Sequence, residues 1–164
     1  MRLQGSCRCG AVSFEVNSRT PYPFMRCYCG ICRKTDGGGG YAINIMGDFA
    51  TLKVEGEDAI SMFHAETEEG VSPGERRFCK HCGSALWVYD PRWPELVHPF
   101  ASAIDTPLPL PPETVHIMLD FKPDWVEVPE GENHRHYPGY PEQSIEDWHR
   151  AHGLLLNDPS EEPK

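Results

Sequence analysis

The sequence predicts a mainly β fold made of small sheets, with one short helix near the C-terminus. The chain has 15 glycines and 16 prolines among 164 residues, a composition that favours strands and loops over helices. Several short segments alternate apolar and polar residues with the period of two that is typical of half-buried strands. All seven cysteines lie in three tight clusters. We therefore expect the strands to be organised around cysteine-based sites.

The strand candidates are short and are separated by glycine, proline or polar residues. In chain order they are residues 11–16, 24–26, 41–45, 51–55, 60–63, 76–78, 84–89, 96–100 and 115–121. In the first of them, Val12, Phe14 and Val16 share one face. A turn at 56–58 predicts that 51–55 and 60–63 pair as a hairpin. The polar residues 66–75 are predicted to form a surface loop.

The C-terminal part of the chain carries the predicted helix. Residues 129–141 are polar and rich in histidine, and we expect an irregular surface segment there. Residues 144–152 have a helical pattern, with Ser144 as the N-cap and Gly153 as the stop signal. The polar residues 157–164 are expected to be a disordered tail.

Charge and hydropathy exclude several classes of partner. The net charge of −10 argues against nucleic acid or an anionic membrane as a partner. No apolar run approaches the roughly 20 residues that span a bilayer. The first five residues show no apolar signal region. Seven thiols without such a signal favour a reducing, cytoplasmic setting. The sequence predicts no particular oligomeric state.

The cysteine clusters indicate metal binding. They are Cys7-Arg8-Cys9, Cys27-Tyr28-Cys29-Gly30-Ile31-Cys32 and Cys79-Lys80-His81-Cys82. Closely spaced thiols either form disulfides or bind a soft metal as thiolates. Disulfides would leave one of the seven thiols unpaired, which argues against them. The spacings match neither of the ferredoxin patterns, which argues against an iron–sulfur cluster. Seven thiols divide into four for a closed structural zinc site and three for a second site. The second site either keeps an open position or is completed by a histidine or a carboxylate.

Residues near the central cluster have both functional and ordinary structural interpretations. Arg33 and Lys34 follow the third thiol, where they can neutralise thiolates, receive a substrate carboxylate or be ordinary surface cations. The glycine run 37–40 is either a mobile loop or a place where another group approaches the backbone closely. The four tryptophans are expected in the core. No general base can be named from the sequence.

Three segments carry a family resemblance. They are Gly5-Ser6-Cys7-Arg8-Cys9-Gly10-Ala11-Val12, Cys27-Tyr28-Cys29-Gly30-Ile31-Cys32-Arg33-Lys34 and Arg77-Phe78-Cys79-Lys80-His81-Cys82-Gly83-Ser84. In order, spacing and flanking residues they resemble the glutathione-dependent formaldehyde-activating enzyme family, also called the centromere protein V family. The resemblance covers roughly residues 3–127. The family usually has histidine where Tyr28 stands and often serine where Gly30 stands, and neither position supplies a zinc ligand in the family.

The resemblance implies a fold and a set of metal ligands. The fold is the β-tent, in which small antiparallel sheets fold over zinc. Residues 1–128 are then a zinc-binding β-tent domain, and 129–164 are a C-terminal extension. The implied ligands are Cys7, Cys9, Cys79 and Cys82 for a structural zinc, and Cys27, Cys29 and Cys32 for a second, catalytic zinc with an open position.

The resemblance also implies an activity. The expected enzyme is a zinc-dependent carbon–sulfur lyase, similar to S-hydroxymethylglutathione synthase, that contains two zinc ions. It acts on a glutathione-type thiol and formaldehyde or a related small carbonyl. The alternative is a non-catalytic zinc module that serves as a scaffold or binds a protein. A closed, four-ligand second site with a large exposed apolar patch favours that alternative.

Overall fold

The structure, a computed structural model, describes residues 1–157. The predicted disordered tail, 157–164, lies outside the described residues except for Asn157. The strands are β1 (Arg2–Ser6), β2 (Ser13–Asn17), β3 (Met25–Cys27), β4 (Ala42–Ile43), β5 (Gly47–Asp48), β6 (Lys53–Glu55), β7 (Ile60–Thr67), β8 (Gly70–Cys79), β9 (Ala85–Tyr89), β10 (Leu96–Pro99), β11 (Thr114–Ile117) and β12 (His134–His136). The α-helices are α1 (Gly30–Thr35) and α2 (Ile145–Ala151). No helix in the described part of the chain is long and apolar enough to span a membrane.

The strands form three small sheets, and the predicted mainly β fold is confirmed. The first sheet has the order β1-β2-β6 and the second has the order β5-β10-β9-β8-β7; all their pairs are antiparallel. The third sheet has the order β12-β11-β3-β4. In it β11 runs parallel to both of its neighbours, while β3 and β4 are antiparallel. The sequence pattern did not indicate these parallel pairs.

The apolar alternation of β2 builds the contact between the first two sheets. Val12, Phe14 and Val16 are at most 4% exposed, as their period of two predicts. The ring of Phe14 meets the edge of Trp87 on β9, with ring centroids 5.2 Å apart. This aromatic contact packs one sheet against the other.

Two sequence predictions about the middle of the chain are wrong. Segment 51–55 does not pair with 60–63, because β6 joins β2 and β7 joins β8. Gly56 has a φ of 77°, and a 3₁₀ turn follows it at Glu57–Ala59, so the chain leaves one sheet and enters another. The predicted loop 66–75 is mostly strand, since β7 runs to Thr67 and β8 begins at Gly70.

The predicted C-terminal helix is confirmed with its cap. Ser144 Oγ accepts a hydrogen bond of 3.1 Å from the backbone N–H of Asp147. Trp148 stacks on Phe24 with ring centroids 3.8 Å apart, which docks α2 on the body of the protein. Just before the helix, the segment expected to be irregular supplies the edge strand β12. The boundary between residues 128 and 129 stays a prediction.

Two of the four tryptophans are not in the core. Trp87 and Trp148 are buried as expected. Trp93 and Trp125 are 50% and 68% exposed. Trp93 lies under the guanidinium of Arg92, at 4.9 Å from Cζ to the ring centroid, so this ring serves a surface cation–π contact.

Candidate metal centres

Four of the cysteines meet where the first and second sheets approach each other. The sulfurs of Cys7, Cys9, Cys79 and Cys82 all lie within 4.8 Å of one another. Cys7 and Cys9 lie in the turn between β1 and β2, while Cys79 ends β8 and Cys82 lies before β9. The sulfur of Cys9 is 3.5 Å from that of Cys7 and 3.8 Å from that of Cys79. These four thiols could hold a metal ion.

Each of the two turns depends on a glycine. Gly10 and Gly83 both have a φ of 76°, a left-handed conformation that favours glycine. Beside Gly83, the hydroxyl of Ser84 is 3.2 Å from the sulfur of Cys82. This hydrogen bond lowers the pKa of the Cys82 thiol to about 5. The turn therefore favours the thiolate, which is the form that binds metal.

The other three cysteines meet between β3 and α1. The sulfurs of Cys27, Cys29 and Cys32 lie within 4.8 Å of one another, and this group could also hold a metal ion. Cys27 ends β3, Cys29 is the N-cap of α1, and Cys32 lies in the first turn of that helix. The sulfur of Cys29 accepts a 3.3 Å hydrogen bond from the backbone N–H of Cys32. The helix was not predicted, and its first turn is what aims Cys32 back at the other two thiols.

The three thiols interact strongly because they share one small space. Hydrogen bonds from Cys27 and Cys32 hold the pKa of the Cys29 thiol far below its usual range. The hydrogen bond with Cys29 contributes most to raising the pKa of Cys27, and burial raises it further. Like charges this close cannot all ionise without a nearby cation. A bound dication would remove that conflict, so the donor set fits a thiophilic metal.

Arginine side chains supply positive charge near the three-cysteine site. Cys32 has a pKa that several neighbours move in opposite directions. The hydrogen bond with Cys27 lowers it, whereas the hydrogen bond with Cys29 and burial raise it, to about 11 overall. The positive charge of Arg76 opposes that rise. Nη1 of Arg76 is buried and has no hydrogen-bond partner within residues 1–157. The same holds for Nε of Arg33, whereas Lys34 is exposed, as an ordinary surface cation would be. Arg76 was missed because it lies more than 40 positions away from the central cluster in the sequence.

The glycine run after α1 is closely packed at its two ends, Gly37 and Gly40. The backbone N–H of Gly40 donates to the carbonyl of Gly37 at 2.8 Å. A Cβ at Gly37 would lie 2.5 Å from Cα of Arg33, and one at Gly40 would lie 2.3 Å from Cγ2 of Val126. Close approach of another group, one of the two readings of this run, therefore holds at Gly37 and Gly40.

A buried hydrogen-bonded chain lies beneath the central cluster. Tyr28 and His116 are both fully buried. The hydroxyl of Tyr28 is 2.8 Å from Nδ1 of His116, and Nε2 of His116 is 2.9 Å from Nδ1 of His134. Burial lowers the pKa of His116 to about 4, so the ring is neutral at pH 7. Tyr28 thus anchors the cysteine loop to β11 through a pair that the sequence did not reveal.

We expect Tyr28→Phe to destabilise the protein without removing metal. The change keeps the ring and deletes the hydroxyl, which leaves Nδ1 of His116 buried without its partner. The free energy of unfolding should fall by about 1–2 kcal/mol. Urea unfolding and elemental analysis measure the two quantities, with Tyr41→Phe as a matched control. Unchanged stability in Tyr28→Phe would contradict the anchoring role.

The fold and the two cysteine groups define a small β protein with two sites that could each hold a metal ion. The chain belongs to the glutathione-dependent formaldehyde-activating enzyme family, whose model matches residues 2–120. This confirms the resemblance that the three cysteine segments indicated.

Two individual proteins show the extent of the similarity. A protein of Halomonas elongata, provisionally named a glutathione-dependent formaldehyde-activating enzyme, is 63% identical over 154 residues, which cover 94% of this chain and 98% of the relative. A crystal structure of a Rhodobacter sphaeroides protein is 25% identical with a TM-score of 0.49, over 65% of this chain and 91% of that one. The first similarity extends beyond the matched family region into the C-terminal segment.

Proposed function

We propose that this chain is a zinc-dependent carbon–sulfur lyase that joins a glutathione-type thiol to formaldehyde or a related small carbonyl, and cleaves the adduct. The observation that carries the proposal is the group of Cys27, Cys29 and Cys32, which includes no fourth histidine, cysteine or carboxylate ligand from residues 1–157. Three protein ligands leave one tetrahedral position for a substrate atom. The family name and that of the Halomonas relative supply the substrate class.

Zinc suits the sulfur spacing of the four-cysteine group, and the thiol donors of both groups suit it. Tetrahedral zinc–sulfur bonds of about 2.3 Å put neighbouring sulfurs about 3.8 Å apart. The observed separations of 3.5 Å for Cys7–Cys9 and 3.8 Å for Cys9–Cys79 are close to that value. We therefore propose two zinc ions, one structural at the four-cysteine group and one catalytic at the three-cysteine group.

The proposed reaction is the addition of a thiol to a carbonyl group. The thiol loses its proton, its sulfur forms a bond to the carbonyl carbon, and the carbonyl π pair moves to oxygen, which then takes up a proton. Glutathione and formaldehyde give S-hydroxymethylglutathione, and the reverse sequence releases both. Bound zinc would bind the substrate sulfur and lower the pKa of the substrate thiol.

Arg76 would offset part of the charge that builds up in this step. With a dication bound, the three thiolates would leave a net charge of −1, and an incoming thiolate would make it −2. The positive charge of Arg76 acts on Cys32, and its buried Nη1 lacks a partner within the described residues. Arg76 therefore offsets the charge that the substrate thiolate brings and stabilises it at the site.

The alternative, a non-catalytic zinc module, differs in one respect that can be measured. A scaffold does not change the rate at which glutathione and formaldehyde exchange with their adduct.

The partners we propose are small molecules, and neither nucleic acid nor a membrane is among them. The proposed location is the cytoplasm, since all seven cysteines within the described residues are free thiols, and metal sites of this kind require reduced thiols.

The test is catalysis of the adduct equilibrium. NMR exchange spectroscopy measures how fast formaldehyde, glutathione and S-hydroxymethylglutathione interconvert. We expect zinc-loaded protein to accelerate the exchange and 2-mercaptoethanol to be a poorer substrate than glutathione. Bovine serum albumin at matched thiol concentration is the control for nonspecific thiol effects. Exchange at the uncatalysed rate with both metal sites filled would refute the enzyme and favour the module.

A further inference from the structure

A cleft lies between the first and second sheets, and in the described chain no cysteine lines it. Its volume is about 430 Å³, which is within the usual range for a site that holds a small molecule. Three aromatic rings line the cleft. Phe49 comes from a 3₁₀ turn at Phe49–Thr51, whereas Trp87 and Tyr89 come from β9. The remaining apolar walls are aliphatic: Leu52, Val54 and Ile60.

The alternation of side chains along β8 separates this cleft from the three-cysteine group. Glu75 and Arg77 line the cleft beside the two rings of β9, with which they pair across the strands. Arg76 lies between them in the strand, so its side chain points to the opposite face. Its positive charge acts on Cys32. The cleft and the three-cysteine group therefore lie on opposite sides of β8.

The aromatic rings of the cleft offer π surface to a ligand. Phe49 stacks on Tyr89 with ring centroids 4.4 Å apart, and Phe49 is 37% exposed, so part of this aromatic pair faces water. Within residues 1–157, the arginines that lie over aromatic rings use Tyr41 and Trp93. The negative ring faces in the cleft are thus left for a cation from outside the chain.

The charges that line the cleft also favour a cation. Arg77 forms an ion pair with Glu75, and this pair is neutral as a whole. Glu57, which is exposed at the start of the 3₁₀ turn Glu57–Ala59, adds a second carboxylate to the lining. Two carboxylates and one guanidinium give the lining a net charge of −1. A ligand with one positive charge complements it, whereas an anion is repelled.

We propose that this cleft binds a small organic cation whose nitrogen carries methyl groups, such as a quaternary ammonium. Aromatic rings attract such a cation through their quadrupoles. Its methyl groups can pack on Leu52, Val54 and Ile60, because they shed water at little cost. A metal ion or a primary ammonium would lose far stronger hydration in the same apolar surroundings. Binding in this cleft is independent of the proposed carbon–sulfur chemistry.

The first test is an amide NMR titration of the full chain with choline and with dimethylbutanol, an analogue in which an uncharged carbon replaces the nitrogen. We expect choline to shift the amide signals of Phe49 and Tyr89 and to bind roughly tenfold more tightly than the analogue. Equal affinity for the two probes would show an apolar site and overturn the choice of a cation. Shifts confined to residues outside the cleft, or no binding of choline, would overturn the site.

Two variants separate the contributions of the rings and of the charge. Phe49→Leu keeps an apolar side chain but removes a π face, and it should weaken choline binding about fivefold. Glu57→Gln removes one charge at an exposed position, where it should not disturb the fold, and should weaken choline binding about threefold. Both should leave dimethylbutanol binding within about twofold of the wild type.

Trp93→Leu is the matched control, since it removes an exposed aromatic ring that does not line the cleft. It should bind choline within about twofold of the wild type. Wild-type affinity for choline in both Phe49→Leu and Glu57→Gln would place the cation elsewhere and overturn the inference. Equal weakening in Trp93→Leu and Phe49→Leu would overturn it as well.

Discussion

Cys29→Ser is expected to remove one of two zinc ions per chain and to lower the rate of adduct exchange by roughly 100-fold or more. A neutral serine hydroxyl is a poor substitute for a thiolate ligand, and two remaining thiolates hold zinc weakly. Cys29 is one of only three sulfurs in this group, so its replacement leaves two thiolate ligands within the described residues.

The same substitution should leave the fold intact. Cys29 is the N-cap of α1, where its sulfur accepts a hydrogen bond from the backbone N–H of Cys32. Serine is among the best N-cap residues, so the helix keeps its cap while the site loses a ligand. Gly30→Ser is the matched control, because open space surrounds a Cβ at that position. It should retain both zinc ions.

Elemental analysis on protein purified without oxygen, circular dichroism and the exchange assay together read out this prediction. Two zinc ions in Cys29→Ser, with wild-type exchange, would show that Cys27, Cys29 and Cys32 are not a catalytic metal site. One zinc ion together with wild-type exchange would place catalysis elsewhere and leave the metal site standing.

The cysteine groups could be predicted because their signal is local in sequence. Three thiols within six residues can meet only if the loop turns sharply, and the spacing alone makes that visible. The alternation at Val12, Phe14 and Val16 identified a buried strand face for the same reason. Only the family resemblance indicated which clusters share a metal. The spacing within each cluster does not show that Cys9 and Cys79 lie close together in the fold.

The features that escaped prediction depend on contacts between distant segments. The parallel pairing of β3 with β11 joins residues about 90 positions apart, and no local pattern reports it. Tyr28 was visible as a departure from the family, but its partner His116 appears only once β3 and β11 lie side by side. Arg76 is likewise an ordinary surface residue type in the sequence, and the effect of its charge on the pKa of Cys32 is a property of the fold.

Cys79→Ser is expected to have the largest effect on stability. Cys79 is fully buried, and the contact between its sulfur and that of Cys9 links positions 70 residues apart, so a metal held there closes a long loop between two sheets. Loss of the structural zinc together with a buried, mismatched hydroxyl should cost about 4–5 kcal/mol. Thermal unfolding should shift down by about 10–20 °C, and a strong chelator should shift the wild type in the same direction.

Lys80→Ala is the control for this experiment, since Lys80 is the exposed neighbour in the same turn and supplies no ligand. It should unfold within about 2 °C of the wild type.

Substitutions in the two cysteine groups are expected to have opposite effects, which separates the roles of the groups. Cys29→Ser should lose activity at nearly unchanged stability, whereas Cys79→Ser should lose stability first and activity only as it unfolds. If Cys79→Ser unfolds at the wild-type temperature with one zinc ion missing, the four-cysteine group does not stabilise the fold. A structural zinc would then have to be abandoned for this site.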